Sequence, residues 1–152
     1  MSFFNRTYEI KGKHADMVRR LTNSDALNCK NIDIFIMSIS LGISRGLKAD
    51  VDNESKSEYV KILSEQMVNH GDDIEYFYKL LMLTDSKYCP SAEERCNKAF
   101  RYLGTENAQK DEVHFTKVLL GGLEFLYEQI IENTSSRNDI FNNICDFVET
   151  SE

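Results

Sequence analysis

Residues 32–47 are apolar around almost the whole circumference of a helix, and this segment constrains the fold more than any other. One face carries apolar side chains at the helical spacing i, i+3, i+4, i+7 and i+11, namely Ile32, Phe35, Ile36, Ile39 and Ile43. Ile34, Met37 and Leu41 cover much of the opposite side. Such a helix lies at the centre of its fold or in a subunit interface, because neither face gains from contact with water. It is also shorter than the roughly 20 apolar residues of a membrane span.

The remainder of the chain supports one helical domain built around that segment. The sequence has 152 residues, of which 41% are hydrophobic and 28% charged, as is ordinary for one globular domain. One proline and seven glycines argue against a turn-rich β-sandwich or barrel. We therefore expect an all-α fold, a single compact bundle of six or seven helices over residues 1–152. Aromatic and alternating residues predict an extended arm or a short strand over residues 1–12.

Periodicity and capping residues place the individual helices. The predicted helices cover about residues 13–21, 32–47, 57–69, 72–83, 92–103, 111–133 and 139–148. Ser91 and Glu94 form a capping box before the fifth helix, and Gly71 is expected to end the third. Cys96 and Cys145 fall on apolar faces, so both are predicted to be small buried core residues.

Four glycines mark positions where another helix is expected to approach closely. Gly42 and Gly46 are four residues apart and lie on one helix face. Gly121 and Gly122 stand in the middle of a long apolar helical pattern, where each costs about 1 kcal/mol relative to alanine. That cost predicts a compensating contact, so these four residues are candidates for a helix crossing or an interface.

Charge is distributed unevenly along the chain, which carries a net charge of −7. Lysine and arginine outnumber acidic residues through Lys30, whereas acidic residues dominate residues 49–75. The two regions can pair between subunits or remain two solvated faces. Six basic side chains are the candidates for contacting a nucleic acid or an acidic partner: Lys11, Lys13, Arg19, Arg20, Arg45 and Lys48.

The order of elements in the first 50 residues leaves a DNA-binding alternative open. A strand, a helix, a polar turn and an apolar helix follow one another, as in a ribbon-helix-helix element that dimerises through its strand. The overall negative charge opposes this reading, because binding to DNA requires neutralisation of phosphates.

Patterns for catalysis, metal binding and cofactors are weak. The sequence lacks a glycine-rich phosphate loop and a nucleophile motif. Asp111 and His114 are spaced to share a metal, but the second pair that a dimetal helical site requires is missing. We therefore expect no enzyme activity, no catalytic residues, no metal and no cofactor, with a small enzyme of scattered residues as a minor alternative. Widely spaced cysteines and the lack of a signal-peptide pattern predict a cytoplasmic location with free thiols.

Three stretches resemble small all-helical bacterial proteins from mobile and phage-defence islands. They are residues 11–15 followed by Leu21 and Thr22, residues 31–46, and residues 95–101 together with 121–127. The first fifty residues also resemble the small helical component of DNA phosphorothioation systems, a family that binds DNA. Neither resemblance assigns a chemical role to a residue.

The sequence thus predicts a non-catalytic protein–protein interaction or assembly subunit, working by self-association or within a bacterial phage-defence or mobile-element system. A DNA-binding or regulatory subunit that uses the basic N-terminal region is the alternative. No membrane association is expected.

Overall fold

The computed structural model describes residues 3–53 and 58–151, and it confirms a mostly helical bundle with a short N-terminal strand, which pairs with a strand later in the chain to form a small sheet. Within these residues the helices are α1 (Gly12–Thr22), α2 (Asn31–Arg45), α3 (Ser64–Asn69), α4 (Gly71–Thr84), α5 (Ala92–Cys96), α6 (Gln109–Ile130) and α7 (Arg137–Thr150). The two strands are β1 (Tyr8–Lys11) and β2 (Tyr59–Ile62). Single 3-10 turns lie at Phe3–Asn5 and Glu106–Ala108, and a π-helical turn follows α5 at Asn97–Arg101.

Helices α2 and α6 form the centre of the core, as the apolar circumference of residues 32–47 predicts. Phe35 and Ile39 of α2 are buried, and Phe35 packs its ring 6.1 Å from that of Phe115 in α6. The side chain of Asp33 accepts a hydrogen bond from the backbone N–H of Lys30 and closes the first turn of α2. Among the described residues, no helix combines the length and the apolar character that crossing a bilayer requires.

The predicted helix over residues 57–69 is wrong in its first half. Residues 54–57, which include its expected start, lie outside the described residues, and the next residues form β2. Val60 and Ile62 are buried while Tyr59 and Lys61 are exposed, which is the two-residue period of a strand. Leu63, expected inside a helix, is 56% exposed. The strand forms because β1, about fifty positions earlier, supplies its pairing partner.

A π-turn changes the face that the fifth helix presents. The side chain of Ser91 accepts a hydrogen bond from the N–H of Glu94, as the capping box predicts. From Asn97 the backbone bonds five residues ahead, with the N–H of Tyr102 donating to the carbonyl of Asn97 at 2.9 Å. The wider turn rotates the helical stripe beyond Asn97, so Phe100 is 62% exposed. Cys96, predicted to be buried, is the last residue of α5 and is exposed.

Two smaller expectations at helix ends and in the last helix are also wrong. Gly71 begins α4 rather than ending α3, and His70 is the boundary residue that the two helices share. Cys145 is exposed because α7 lies on the domain surface, where Ile140, Ile144 and Phe147 are only half-buried.

Candidate interaction site

Three of the four marked glycines lie within the folded protein, at the place where α2 and the residues after it cross α6. A Cβ atom on Gly122 would lie 1.7 Å from the carbonyl oxygen of Ser38, and one on Gly42 would lie 2.2 Å from that of Val118. A Cβ on Gly121 would lie 2.5 Å from the backbone nitrogen of Lys48. Gly46 instead ends α2 in the left-handed conformation, with φ of 64°, and an added Cβ there would meet no other part of the described chain within 4 Å.

Most of the basic candidates contact other parts of the same chain. Arg19 pairs with the carboxylate of Glu58 and donates to the carbonyl of Tyr59 at 2.7 Å. Arg20 donates to the hydroxyl of Tyr127. Thus the basic N-terminal region and the acidic middle meet within one molecule.

The remaining basic candidates do not form a uniform positive surface. Lys13 pairs with Glu124 on α6 at 3.2 Å, and Arg45 lies 4.5 Å above the ring of Phe125. Lys48 is exposed beside a groove of about 290 Å³ that Glu124, Glu128 and Glu132 also line. Lys11 is exposed on β1. Acidic side chains therefore interleave with the cations, which is unfavourable for binding a phosphate backbone.

A buried polar network that sequence reasoning did not assemble ties the α4–α5 loop and the π-turn to α6. The fully buried carboxylate of Asp111 accepts a hydrogen bond from Tyr88 at 2.6 Å and pairs with the ammonium of Lys98 at 2.9 Å. One turn further along α6, His114 contacts Asp85 at 2.8 Å and stacks on the ring of Tyr88, with centroids 3.7 Å apart. The i, i+3 spacing of Asp111 and His114 was the one available signal.

Burial shifts the pKa of two members of this network, His114 and Tyr88. Desolvation lowers the pKa of His114 below its usual 6.5, although Asp85 favours the charged form. Burial and the hydrogen bond to Asp111 raise the pKa of the Tyr88 hydroxyl. Among the described residues, no group of three or more His, Cys, Asp or Glu is arranged to hold a metal ion. The groups face one another, so the arrangement clamps elements together.

The sheet has two edges that differ in how they are protected. The outer edge of β2 is capped by side chains, because Arg19 donates to the carbonyl of Tyr59 and Asn31 donates to that of Lys61 at 3.2 Å. In the described part of the chain, β1 pairs with β2 alone, so its other edge is not covered by a strand. Proteins usually protect exposed strand edges, and among residues 3–53 and 58–151 side chains cap the carbonyls of the β2 edge but not those of the β1 edge.

The register identifies which residues of β1 face the open edge. Glu9 lies opposite Lys61, and the N–H of Gly12 donates to the carbonyl of Glu58 at 2.8 Å. Bonding residues alternate along an antiparallel strand, so Ile10 turns its backbone groups towards β2. The N–H and C=O groups of Glu9 and Lys11 therefore point away from β2, towards the open edge.

A groove of about 510 Å³ runs beside this open edge, between β1 and the first turns of α6. Val51 and Val113 line it with apolar surface that is 39% and 56% exposed. Arg6 and Glu112 also line the groove and pair at 3.7 Å. An adjoining cavity of about 170 Å³ continues inwards to the buried side chain of His14.

Strand β1 forms one side of the groove, and Tyr8 fixes the strand to the core. Its hydroxyl is hydrogen-bonded to the Thr116 hydroxyl at 2.6 Å, and its ring meets that of Phe35 edge-on with centroids 5.1 Å apart. Burial raises the pKa of Tyr8 to about 12. The strand edge is thus positioned by the core before any partner binds, which reduces the entropic cost of binding.

The groove was only partly visible in the sequence. Alternation over residues 4–10 predicts a short strand or an extended arm, and Lys11, a candidate contact residue, does line the groove. The pairing of β1 with β2 and the capping of the second edge by Arg19 required the tertiary structure. Comparison of the chain with protein-family models, curated proteins and solved structures gives no match.

Proposed function

We propose that the protein is a non-catalytic interaction or assembly subunit that binds an extended protein segment along the open edge of β1. The single observation that carries this proposal is the contrast between the two sheet edges. Side chains cap the carbonyls of Tyr59 and Lys61 on β2, whereas the backbone groups of Glu9 and Lys11 face a groove. Strand addition to such an edge gains main-chain hydrogen bonds and uses the adjacent groove for side-chain selection.

The composition of the groove fits a protein partner better than a nucleic acid. Apolar surface from Val51 and Val113 lies between the acidic Glu112 and the basic Arg6 and Lys11. A mixed lining of this kind offers both apolar and ionic contacts to side chains. The resemblance to proteins of mobile and phage-defence islands supports an assembly role in a bacterial system of that kind.

DNA binding through the basic N-terminal region is the alternative proposal. A dimer joined through β1 would keep the strand-mediated association of a ribbon-helix-helix protein. The internal contacts of Lys13, Arg19 and Arg20 weigh against it, because each would have to be replaced by a contact to phosphate.

The test is copurification from the native host, with and without nuclease, followed by mass spectrometry. Glu9→Pro removes a backbone N–H from the open edge, while Lys61→Pro, directly opposite in the register, removes one from the capped edge. Circular dichroism melting verifies that both variants fold.

We expect wild type and Lys61→Pro to retain the same protein partners, including further copies of the chain, after nuclease treatment. Glu9→Pro should lose them. Identical recovery with Glu9→Pro would contradict strand addition at β1. Loss of all retained material on nuclease treatment would favour the DNA-binding alternative.

A further inference from the structure

We infer that the strand accepted by β1 is the β1 strand of a second copy, paired antiparallel about a twofold axis at Ile10. This inference rests on the proposed function and names the partner of the same edge. The pairing would join the two small sheets into one four-stranded sheet, in the order β2, β1, β1, β2. Both capped edges of β2 would then lie on the outside, so the assembly would close as a dimer.

The backbone geometry permits this register. Glu9 and Lys11 both turn their N–H and C=O groups towards the open edge, and they lie one residue on either side of Ile10. With Ile10 on the twofold axis, Glu9 of each copy faces Lys11 of the other. Each such pair exchanges two hydrogen bonds, so the interface gains four.

The side chains select this register over its neighbours. Glu9 and Lys11 are both exposed on the outer face of β1, so the twofold axis at Ile10 places opposite charges directly across the two strands. Moving the axis to Glu9 would place two carboxylates opposite each other. Moving it to Lys11 would place two ammonium groups opposite each other. Strand β1 is therefore self-complementary in one register.

The groove supplies apolar surface for the same contact. Val51 and Val113 line it beside the edge and are partly exposed in a single copy. A strand from a second copy would cover part of this surface in both molecules, adding hydrophobic burial to the backbone bonds. The pairs of Glu9 and Lys11 lie at the exposed side, so they set register more than they add affinity.

The test uses charge variants that are incompatible alone and complementary together. Lys11→Glu places two carboxylates against each other in each cross-strand pair, and Glu9→Lys places two ammonium groups there. Within the chain Lys11 lies opposite Tyr59, so Lys11→Glu has little effect on the fold. Glu9→Lys faces Lys61, and thermal melting checks that variant. Sedimentation measures self-association, and native mass spectrometry of the mixture identifies mixed dimers.

We expect the wild type to form a dimer and each single variant to associate roughly ten- to a hundredfold more weakly. An equimolar mixture of the two variants should form the mixed dimer. In parallel, hydrogen exchange at the amides of Glu9 and Lys11 should slow as the wild-type concentration rises. The amide of Ile10, bonded to β2 in both states, should not change.

Three results would overturn the inference. These are a monomeric wild type from micromolar to millimolar concentration, a dimer that neither charge variant weakens, or a mixture that forms no mixed dimer. The proposed function fails on a different result, namely host copurification that is unaffected by Glu9→Pro. A monomer that still binds another protein through Glu9→Pro-sensitive contacts would therefore reject self-pairing alone.

Discussion

Gly122 and Gly71 differ in the space around them, and this difference gives a matched pair of substitutions. A Cβ at position 122 would overlap the carbonyl oxygen of Ser38, so Gly122→Ala must push α2 and α6 apart. We expect a loss of about 3 kcal/mol or more in the free energy of unfolding, because overpacking of a backbone crossing cannot relax locally. Among the described residues, no heavy atom beyond its chain neighbours and its own helix backbone lies within 4 Å of a Cβ added to Gly71, so Gly71→Ala should stay within about 1 kcal/mol of wild type. Urea unfolding measures both, and equal stability of the two variants would contradict the crossing.

The buried histidines predict that the protein loses stability in mild acid. Desolvation lowers the pKa of both His14 and His114 below the usual 6.5, so the unfolded chain takes up protons first as the pH falls. Their neutral forms therefore favour folding fully above pH 6.5, and this contribution is lost as the pH drops towards the lowered pKa of each ring. The charged groups around the two rings are Lys13, Lys48, Asp52, Asp85, Asp111 and Glu124.

Urea unfolding between about pH 5 and about pH 8 checks this sign. Stability should rise with pH across the lower half of that range. His14→Gln and His114→Gln should each be less stable at neutral pH yet show a shallower dependence on pH. The carboxyl of Asp85 does not produce the same effect, because its lowered pKa places its contribution above pH 3.8, and that contribution is lost only in stronger acid. A slope that survives in both variants would assign the effect to other groups.

The predictability of single residues depended on how local their environment is. The glycines at positions 42, 121 and 122 predicted a close helix approach, because glycine within a helix lowers helix stability relative to alanine. Arg19 looked like a free surface cation, since its partners Glu58 and Tyr59 are about 40 positions away. A side chain that bonds across such a distance leaves no trace in local periodicity.

At the scale of elements, Lys98 and Asp111 join the π-turn to α6. Asp111 is fully buried, and its Oδ2 has no hydrogen-bond partner within the described part of the chain, while Lys98 supplies the paired positive charge and Tyr88 donates a hydrogen bond to Oδ1. Lys98→Met should therefore cost about 3 to 5 kcal/mol, the range for removing one member of a buried pair. Lys98→Met combined with Asp111→Leu should recover part of that loss, because no buried charge remains. A double-mutant cycle by urea unfolding measures the coupling, and additive losses would contradict a coupled pair.

Elements with a strong local signal were predicted well, and those created by tertiary contacts were not. Helices α1, α2 and α6 follow from apolar periodicity, and their predicted limits lie within a few residues of the structure. Strand β2 has four residues and pairs with a distant strand. The helical spacing of Val60 and Met67 therefore led to a predicted helix at this position. The π-turn shifted the exposed face of residues 97–101, which a fixed period of 3.6 residues does not anticipate.

At the scale of the whole molecule, the basic and acidic regions of the chain contact each other within one molecule. The basic N-terminal helix binds the acidic middle segment through Arg19 and Glu58, and Asp52 accepts a hydrogen bond from the backbone of Lys13 at 2.8 Å. These contacts attach Asp52 and Glu58 to α1, and Arg19 also caps the outer edge of β2 at the carbonyl of Tyr59. The charge asymmetry thus helps to decide which edge of the sheet can accept a partner.

Removing the caps from β2 should permit assembly that does not close. Arg19→Ala combined with Asn31→Ala frees the carbonyls of Tyr59 and Lys61, so a chain would have an accepting edge on each side of its sheet. Two different edges on one molecule permit head-to-tail addition, which continues without closure and produces filaments or aggregates. We therefore expect light scattering to show species that grow with concentration for this double variant, beyond the size of any wild-type assembly.

Adding Lys61→Pro, which removes an N–H from the newly exposed edge, should suppress that growth while the loss of both caps persists. Growth that continues with Lys61→Pro would mean that the double variant aggregates through unfolding, and the caps would then act on stability rather than on edge protection.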